Sequence, residues 1–222
     1  NGVTSIGYWA FEKCSNLTSI IIPDSVKTIG GYAFSNCSSL TDITIPDGVT
    51  TIGYSAFADC RKLTSINIPE SVTRIGNSAF SNCNSLETFM VDPENPSYTS
   101  EDGVLFNKAG TKLVYYPSNL EQTSYTVPAS VEEIGKLAFS RPDNLKKIQL
   151  SENGNLKKIS SQAFYRCEKV ESIIIPKSVE TIENEAFATW SWTVYVRFKE
   201  NEIPDGWGNV FINGSNTKIV YG

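Results

Sequence analysis

Five cysteines are the residues of this 222-residue chain whose type and regular spacing could do chemistry. Neighbours among the first four are 23 residues apart, and the full set is Cys14, Cys37, Cys60, Cys83 and Cys167. Thiolates can bind a metal ion, but metal sites favour convergent ligands and the chain has no Cys-x₂-Cys pair. Stacked cysteines lie close enough for a disulfide, although side chains at one repeat position point the same way. We therefore predict a buried row of free thiols that pack as small hydrophobic groups, with no metal and no cofactor.

An acidic segment near the middle of the chain is the second candidate for chemistry. Asp92, Glu94, Glu101 and Asp102 could indicate a calcium site or the carboxylate pair of a glycosidase. The segment lacks the spaced ligands of an EF-hand loop, and nothing in it sets the distance between two carboxylates. The chain contains no histidine, which excludes Ser-His-Asp and Cys-His catalysis. The sequence therefore predicts a protein that is not an enzyme.

The composition is that of a folded protein with scattered charges. Apolar residues make up 40% of the chain and the net charge is −5, so a basic surface for nucleic acid is not indicated. No apolar run approaches the roughly 18 residues that a membrane span needs. The chain opens in the middle of a repeat, at Gly2–Gly7, so we expect further sequence upstream in the natural protein.

An Ala-Phe pair marks each repeat unit. The first four pairs are 23 residues apart; the next follows after 59 residues, and the last two steps are 25 and 23. The pairs are Ala10-Phe11, Ala33-Phe34, Ala56-Phe57, Ala79-Phe80, Ala138-Phe139, Ala163-Phe164 and Ala186-Phe187. Such periodicity is typical of a solenoid, in which neighbouring units share one continuous core.

Each unit can be divided into short elements. Ile43 and Ile45 alternate with polar residues, which predicts a strand with one buried face, and Pro46 ends it. A second extended stretch ends at Gly53, and the glycine after the isoleucine suggests a positive φ angle there. The Ala-Phe pair with a cysteine three residues later has the spacing of a single helical turn.

The frame Leu-x-x-Ile-x-Ile-Pro-x-x-Val-x-x-Ile-Gly-x-x-Ala-Phe-x-x-Cys resembles the BspA-like leucine-rich repeats of bacterial surface proteins. The resemblance covers residues 1–198. It implies an extracellular or cell-surface protein that binds other macromolecules.

We therefore expect one leucine-rich-repeat solenoid domain, an α/β superhelix that is rich in strands and has short helical turns. Its 23-residue repeats would form a parallel sheet over residues 1–91 and 128–198. Residues 92–127 would form a hairpin insert, and residues 199–222 a C-terminal cap.

The outward positions of the predicted strands are candidate binding residues, since repeat proteins often bind through such a sheet face. Those singled out are Asp42, Thr44, Asn67, Met90, Lys147 and Gln149. Most outward residues are small and polar, which is also typical of a face that is merely solvated.

The insert is the first choice for a ligand contact, because loops on a rigid scaffold often carry binding residues. Val104–Phe106 and Leu113–Tyr116 are strand-like and flank a glycine-containing turn, and Leu113, Tyr115 and 125–127 are expected to rejoin the main sheet. The arm over 98–112 would then project from the solenoid as a hairpin. It carries the candidate residues Asp102, Asn107 and Lys108.

Aromatic residues form two further groups. Trp9 and Tyr32 precede Ala-Phe pairs and, with Tyr54, could form a patch at one edge, or Trp9 could pack against an upstream coil. The C-terminal group is interpreted as the covering of the open end of the core. It comprises Trp190, Trp192, Tyr195, Phe198, Trp207, Phe211 and Tyr221.

Two functions from different classes fit these features. The first is a non-enzymatic, monomeric, cell-surface or secreted binding and adhesion module that contacts an extracellular or host protein or glycan. The second is a structural spacer that displays other domains and has no ligand of its own. The outward residues carry no code from which a partner can be named.

Overall fold

A computed structural model describes residues 2–188, 193–197, 199, 202, 204–207 and 218–221. The chain divides into two compact units. Unit 1 comprises Asn1–Ala109 with Pro117–Asn119, and unit 2 comprises Gly110–Tyr116 with Leu120–Gly222. Both units are stacks of coils in which parallel strands pair in sequence order. This confirms the predicted solenoid.

Unit 1 contains two parallel ladders and a hairpin. The first ladder joins the two-residue strands β1, β2, β3 and β5 in that order, and the second joins β4 to β6. The hairpin pairs β7 with β8 in antiparallel fashion. The strands are β1 Ser5–Ile6, β2 Thr28–Ile29, β3 Thr51–Ile52, β4 Ser65–Ile68, β5 Arg74–Ile75, β6 Thr88–Val91, β7 Tyr98–Glu101 and β8 Val104–Asn107.

Unit 2 also contains a ladder that includes two-residue strands, and its remaining strands are three or four residues long. Its first ladder runs β9, β11, β13, β15; its other strands pair as β10 with β12 and as β14, β16, β17. The strands are β9 Lys112–Tyr115, β10 Ser124–Thr126, β11 Glu133–Ile134, β12 Lys147–Gln149, β13 Lys158–Ile159, β14 Ser172–Ile175, β15 Thr181–Ile182, β16 Thr193–Val196 and β17 Lys218–Tyr221.

The predicted register is present where the ladders form. Ser65 pairs with Thr88 and Thr28 pairs with Thr51, so neighbouring coils are offset by one repeat. The segments 17–22 and 40–45, also predicted as strands, form no ladder, although the N–H of Thr41 donates to the carbonyl of Thr18 at 3.1 Å. The expected return of the insert to the sheet is confirmed, since β9 pairs with β11 and β10 with β12.

A column of stacked aromatic rings fills the core of each unit. In unit 1 the centroids of Phe11, Phe34, Phe57 and Phe80 are 5.1, 5.3 and 5.7 Å apart. In unit 2 the column is Tyr116, Phe139, Phe164 and Phe187, with separations of 5.1, 5.3 and 5.1 Å. Each ring stacks on the equivalent ring of the next coil, so the repeat period places them in contact.

The prediction of helical turns at the Ala-Phe pairs is wrong. Residues 32–36 form turns, and no α-helix occurs in the part of the chain that the structure describes. The reason is visible in the backbone: Tyr32 and Asn36 have φ angles of 56° and 60°. Equivalent positions of other coils share this left-handed conformation, which a right-handed helix cannot contain. No helix that could cross a bilayer is found among these residues.

The prediction of a positive φ angle at the glycine after isoleucine is also wrong. Among the described glycines only Gly103 and Gly110 have positive φ angles. Gly53 is required for a different reason: a Cβ atom there would lie 2.5 Å from the backbone nitrogen of Gly31 in the preceding coil. The glycine therefore allows two coils to approach each other closely.

The prediction that the arm projects from the solenoid is also wrong. The hairpin turns at Asp102 and Gly103, and the side chains of Val104–Phe106 are buried. The N–H of Phe89 in β6 donates to the carbonyl of Gly103 at 2.9 Å. The hairpin is thus packed on unit 1, because the apolar stretch that suggested a strand needs a surface on which to be buried.

A buried asparagine that the sequence analysis did not single out fixes the start of this hairpin. Asn95 is fully buried, and its amide donates to the carbonyls of Pro69 and Val72 at 2.7 and 3.0 Å. Its Oδ1 accepts the N–H groups of Ser97 and Tyr98 at 2.9 and 2.8 Å. One side chain therefore satisfies backbone groups where the regular repeat stops.

The cysteine row is buried as predicted in four of its five members. Sγ of Cys60 donates to the carbonyl of Phe34 at 3.2 Å, and Cys37, Cys83 and Cys167 make the same contact with a phenylalanine carbonyl. Burial raises the pKa of Cys37 to about 11 and that of Cys83 to about 12. Cys14 departs from the prediction, because it is exposed. These thiols pack and donate hydrogen bonds rather than react.

The C-terminal cap remains a prediction. Trp190, Trp192, Phe198 and Phe211 lie outside the described residues. Trp207 is buried, bridges to Ile182 and donates through Nε1 to the carbonyl of Val179 at 3.3 Å. Strand β17 lies within the predicted cap and pairs with β16, so this part of the segment extends the sheet.

Candidate binding surfaces

The outward face of the longer strands in unit 2 is the strongest candidate site. Ile174 and Tyr195 are paired across β14 and β16, and each is 41% exposed. Because side chains alternate along a strand, their neighbours Ile173 and Val194 point inward and are buried. Two large side chains thus lie next to each other on a surface where solvent-facing residues are expected to be polar.

An open depression of about 360 Å³ lies beside this pair. Its lining includes the predicted site residues Lys147 and Gln149 together with Glu152, Ser172 and Ile174. At the rim, the guanidinium of Arg197 and the carboxylate of Glu152 form an ion pair of 2.7 Å. The depression therefore has an apolar floor with charged groups of both signs around it.

The outward face of unit 1 has a different character. The predicted residues Asp42, Thr44, Asn67 and Met90 are exposed, and Asn67 pairs with Met90 across β4 and β6. The alternation from which they were predicted is confirmed by the burial of the isoleucines between them. Apart from Met90 they are small and polar, but Ile21, at the equivalent position of the preceding coil, is 93% exposed.

The predicted residues of the insert are held against unit 1. Asp102, with a φ angle of 48°, is exposed at the hairpin turn. Lys108 donates through Nζ to the carbonyl of Pro93 at 2.8 Å, and Asn107 is half-buried at the end of β8. The structure therefore does not bring these three side chains together as a binding arm.

The carboxylates considered for calcium do not converge. Oδ1 of Asp92 accepts the N–H of Glu94 at 2.9 Å, which is a local turn contact. Among the described residues, no group of three or more Asp, Glu, Cys or His side chains is placed to hold a metal ion. Asp47, Glu70 and Asp92 line an open depression in unit 1, but nothing there distinguishes a ligand site from a solvated acidic edge.

Trp9 and Tyr32, predicted as an edge patch, do come together. Their rings are stacked with centroids 5.9 Å apart, and the Tyr32 ring meets that of Tyr54 at 5.3 Å. Tyr8, which the sequence analysis did not single out, contacts Trp9 at 5.5 Å. The four rings therefore form one contiguous group.

The sequence analysis missed the pairing of Ile174 with Tyr195. Ile174 is not among the candidate residues predicted from the sequence, and Tyr195 is predicted there to cover the open end of the core. The signal was present in the alternation of Thr193–Val196, which matches that of Ser172–Ile175. Matching the two alternating stretches directly, rather than by the 23-residue period, places both side chains on the same face.

The sequence matches the profile of a BspA type Leucine rich repeat region, in six copies, over residues 4–124 and 113–220. No curated protein matches the chain.

Three solved structures are similar to the chain. A leucine-rich repeat protein from Eubacterium ventriosum is 28% identical over 89% of this chain, with a TM-score of 0.75; the chain spans 58% of that protein. A leucine rich cell surface protein from Faecalibacterium prausnitzii is 26% identical over 93% of this chain and 73% of its own, with a TM-score of 0.62. The pneumococcal vaccine antigen PcpA shares the fold, with 24% identity, a TM-score of 0.71, and coverage of 99% of this chain and 71% of its own.

The family profile spans both units, and the structure shows the stacked coils that this repeat implies. The chain belongs to the BspA-type leucine-rich repeat family.

Proposed function

We propose that this chain is a non-enzymatic binding module of a cell-surface protein, and that it contacts an extracellular protein through the outward face of unit 2. The family and the similarity to a cell surface protein of Faecalibacterium prausnitzii support the location. The repeat fold, which commonly serves as a scaffold for interactions, supports the binding role.

The adjacent, exposed Ile174 and Tyr195 are the observation that carries the proposal. Tyrosine is enriched among the residues that dominate binding energy, because it combines a large apolar ring with a hydroxyl group. A partner side chain that enters the depression would contact Ile174 and be flanked by Lys147 and Gln149. The Arg197–Glu152 pair would stay at the polar rim, where ion pairs contribute little affinity but help to set orientation.

The make-up of this surface favours a protein over a glycan as the partner. Ile174 contributes an aliphatic group, and the lysine, arginine and glutamate around it can pair with charges of either sign. A protein surface presents apolar side chains and charges together, whereas a neutral glycan would offer no charge to Lys147.

A spacer without its own ligand is the second candidate. It is favoured by the outward face of unit 1, where Asp42, Thr44 and Asn67 offer only small polar groups. If unit 2 were equally inert, the module would serve to hold other domains away from the surface.

Binding of the purified chain to an array of extracellular proteins and glycans tests the proposal. We expect saturable binding to at least one protein, and we expect Ile174→Thr combined with Tyr195→Ser to weaken it by about tenfold or more. Met90→Thr is the matched control, because Met90 is an exposed outward residue of unit 1 and its loss should leave affinity unchanged. Absence of any ligand would favour the spacer, and binding that ignores the double variant would contradict the assignment of the surface.

A further inference from the structure

The outward face of unit 2 carries a row of apolar side chains that crosses successive strands. Ile174 pairs with Tyr195, and Tyr195 pairs with Val220 on β17. Paired residues of neighbouring parallel strands point to the same side of the sheet, so the three side chains lie side by side. Ile174 and Tyr195 are exposed, and Val220 is half-buried. The row therefore runs along the direction in which the coils stack.

The spacing of this row limits which partner can match it. Neighbouring strands of a sheet lie about 4.8 Å apart, so the row from Ile174 to Val220 is about 10 Å long. An α-helix rises about 1.5 Å per residue, so side chains at positions i, i+4 and i+7 on one of its faces cover about 10.5 Å. A helix that lies along the row thus meets one apolar side chain on each strand.

An extended segment does not match the row. Side chains on one face of a β-strand recur about every 6.7 Å, so three of them span about 13 Å and leave the row after the second contact. An extended segment laid parallel to β14 would meet one large apolar side chain there, because the outward residues of β14 are Ser172 and Ile174. The arrangement therefore favours a helix over an extended loop.

Small side chains beside the row leave room for a helix. Ser172 and Thr193, which are paired two residues before Ile174 and Tyr195, border the row on one side. A helix with its side chains is about 10 Å in diameter, so bulky neighbours would hold it away from the row. The depression lies at the β12 end of the row, because it is lined by residues of both β12 and β14. One larger side chain of the helix can insert there.

The charge beside the row indicates what the partner helix carries on its flank. Lys147 is exposed on β12 and forms no ion pair with the residues that the structure describes. The other two charges at the depression, Glu152 and Arg197, already pair with each other at 2.7 Å. Lys147 is thus the charge available to a partner, and an acidic side chain complements it.

The distribution of charge between the units is compatible with an acidic partner here. Unit 1 contains 6 basic and 11 acidic residues, whereas unit 2 contains 13 of each. The net charge of −5 therefore belongs to unit 1, and unit 2 has no excess of negative charge to repel a carboxylate.

We propose that the outward face of unit 2 binds an amphipathic α-helix of the partner protein. Apolar side chains at positions i, i+4 and i+7 of that helix contact Ile174, Tyr195 and Val220, and an acidic side chain on its flank faces Lys147. This mode of recognition lays the apolar face of a helix on a complementary surface. The inference rests on the function proposed above, because it names the element by which the partner is recognised.

Selection of binders from two display libraries of equal size tests the proposal. One library randomises the exposed face of a helix in a small helical scaffold, and the other randomises the loops of a β-sandwich scaffold. Each enriched clone is titrated against the parent chain, against Ile174→Thr combined with Tyr195→Ser, and against Met90→Thr as the matched control. We expect helical clones whose affinity falls about tenfold or more with the double variant and is unchanged with Met90→Thr.

The sequences of the helical clones test the register and the charge. We expect apolar residues at i, i+4 and i+7 and an acidic residue on one flank. Lys147→Glu should weaken binding of these clones by about fivefold or more. Replacing the acidic residue of the clone by lysine should restore binding to this variant and weaken binding to the parent chain. Circular dichroism of each variant of the chain verifies that the fold is kept.

The outcomes separate this inference from the proposed function. Binders that depend on Ile174 and Tyr195 but come only from the loop library would overturn the helix and leave the protein-binding surface standing. Helical clones whose affinity ignores the double variant, or is unchanged by Lys147→Glu, would overturn the register or the acidic flank. If neither library yields a binder that depends on this face, both the helix and the proposed surface are wrong.

Discussion

The first residue of each strand in the short-strand ladder of unit 1 is Ser5, Thr28, Thr51 or Arg74, whereas in unit 2 it is Lys112, Glu133, Lys158 or Thr181. Lys112 and Glu133 form an ion pair of 2.9 Å. The apolar residue that follows in each strand, leucine in β9 and isoleucine in the others, is buried in both units except for the half-buried Ile75. The stack therefore constrains the residue that points inward and leaves the adjacent outward position free to change.

A second difference lies one residue further on. Gly30, Gly53 and Gly76 follow the ladder isoleucines of unit 1, whereas in unit 2 Gly135 keeps this position and Ser160 and Glu183 take it in the next two coils. Glu183 pairs with Lys158 at 2.7 Å and accepts the N–H of Ser161 at 2.8 Å. In these two coils of unit 2, polar side-chain contacts between coils replace the close backbone approach that glycine allows.

The largest effect is expected where the two units are alike. Phe57→Ala and Phe164→Ala each remove a fully buried ring from the aromatic column, so each should lower the free energy of unfolding by about 3–5 kcal/mol. Denaturant unfolding measures both, with Thr44→Ala as a surface control that stays within about 0.5 kcal/mol. Unequal losses would show that the two cores are not equivalent, and a loss at Thr44 would contradict the assigned orientation of the strands.

A smaller effect is expected at the hairpin, which has no counterpart in the regular coils. Asn95→Ala leaves the carbonyls of Pro69 and Val72 and two N–H groups without their partner. We expect a loss of about 2–3 kcal/mol in unfolding free energy, because buried polar groups without hydrogen bonds are costly. Asn119→Ala, at a half-buried asparagine of the same unit, is the control. Equal losses for the two variants would mean that Asn95 has no special role.

The position after the ladder isoleucine is glycine in the coil of Gly53 and serine in the coil of Ser160, and substitution at the two sites should reduce stability by different amounts. A Cβ atom at Gly53 would meet backbone atoms 2.5 and 2.6 Å away, so Gly53→Ala should cost about 1–3 kcal/mol. Ser160→Ala removes only the hydrogen bond from its Oγ to Glu133, and it should cost about 1 kcal/mol. Thermal unfolding of both variants measures the two losses of stability. If Gly53→Ala is as stable as the parent chain, close approach of the coils in unit 1 does not require glycine at this position.

The smallest effect concerns the charges of unit 2. Partial burial raises the pKa of Glu183, but hydrogen bonds from Lys158 and from the N–H of Ser161 outweigh it and lower the pKa overall. A lowered pKa contributes stability that is present above the ordinary value of 4.5 and is lost as the pH falls through the folded value. The pair is partly exposed, so we expect less than about 1 kcal/mol.

Thermal unfolding of Glu183→Gln and of the parent chain at about pH 7 and about pH 3 measures the stability that the Glu183 carboxylate contributes. The variant should be slightly less stable at neutral pH, and the difference should shrink in acid. Thr51→Val, at the ladder position of unit 1, carries no charge and should show no change of its effect between the two pH values. A difference for Glu183→Gln that grows in acid would contradict the assigned direction of the pKa.

Much of the fold follows from the sequence, because the repeat fixes the spacing of coils and the alternation fixes which side chains point inward. The register of β4 with β6 and the burial of Ile43 and Ile45 could be predicted in this way. The turn conformation could not, since Ala-Phe followed by cysteine has helical spacing. Left-handed residues such as Tyr32 carry no strong local signal, unlike glycine or asparagine.

The candidate site was predictable only in part. Lys147 and Gln149 were found because strand alternation places them outward, and this local rule needs no tertiary knowledge. Ile174 pairs with Tyr195 because the coil that follows Ile175 is two residues shorter than the regular repeat. In that step the paired residues are 21 apart rather than 23, which hides the match. The packing of the hairpin on β6 depends on tertiary burial that spacing does not express.

Hydroxyl-radical footprinting of the chain, free and saturated with a protein ligand from the array, tests whether the outward face of unit 2 is the binding surface. The method reports the exposure of each side chain without mutation, and both units carry reactive exposed residues. We predict that Ile174 and Tyr195 become protected in the complex, while Met90 and Ile21, the latter 93% exposed, keep their reactivity. Protection of Met90 and Ile21 with Tyr195 unchanged would contradict the account.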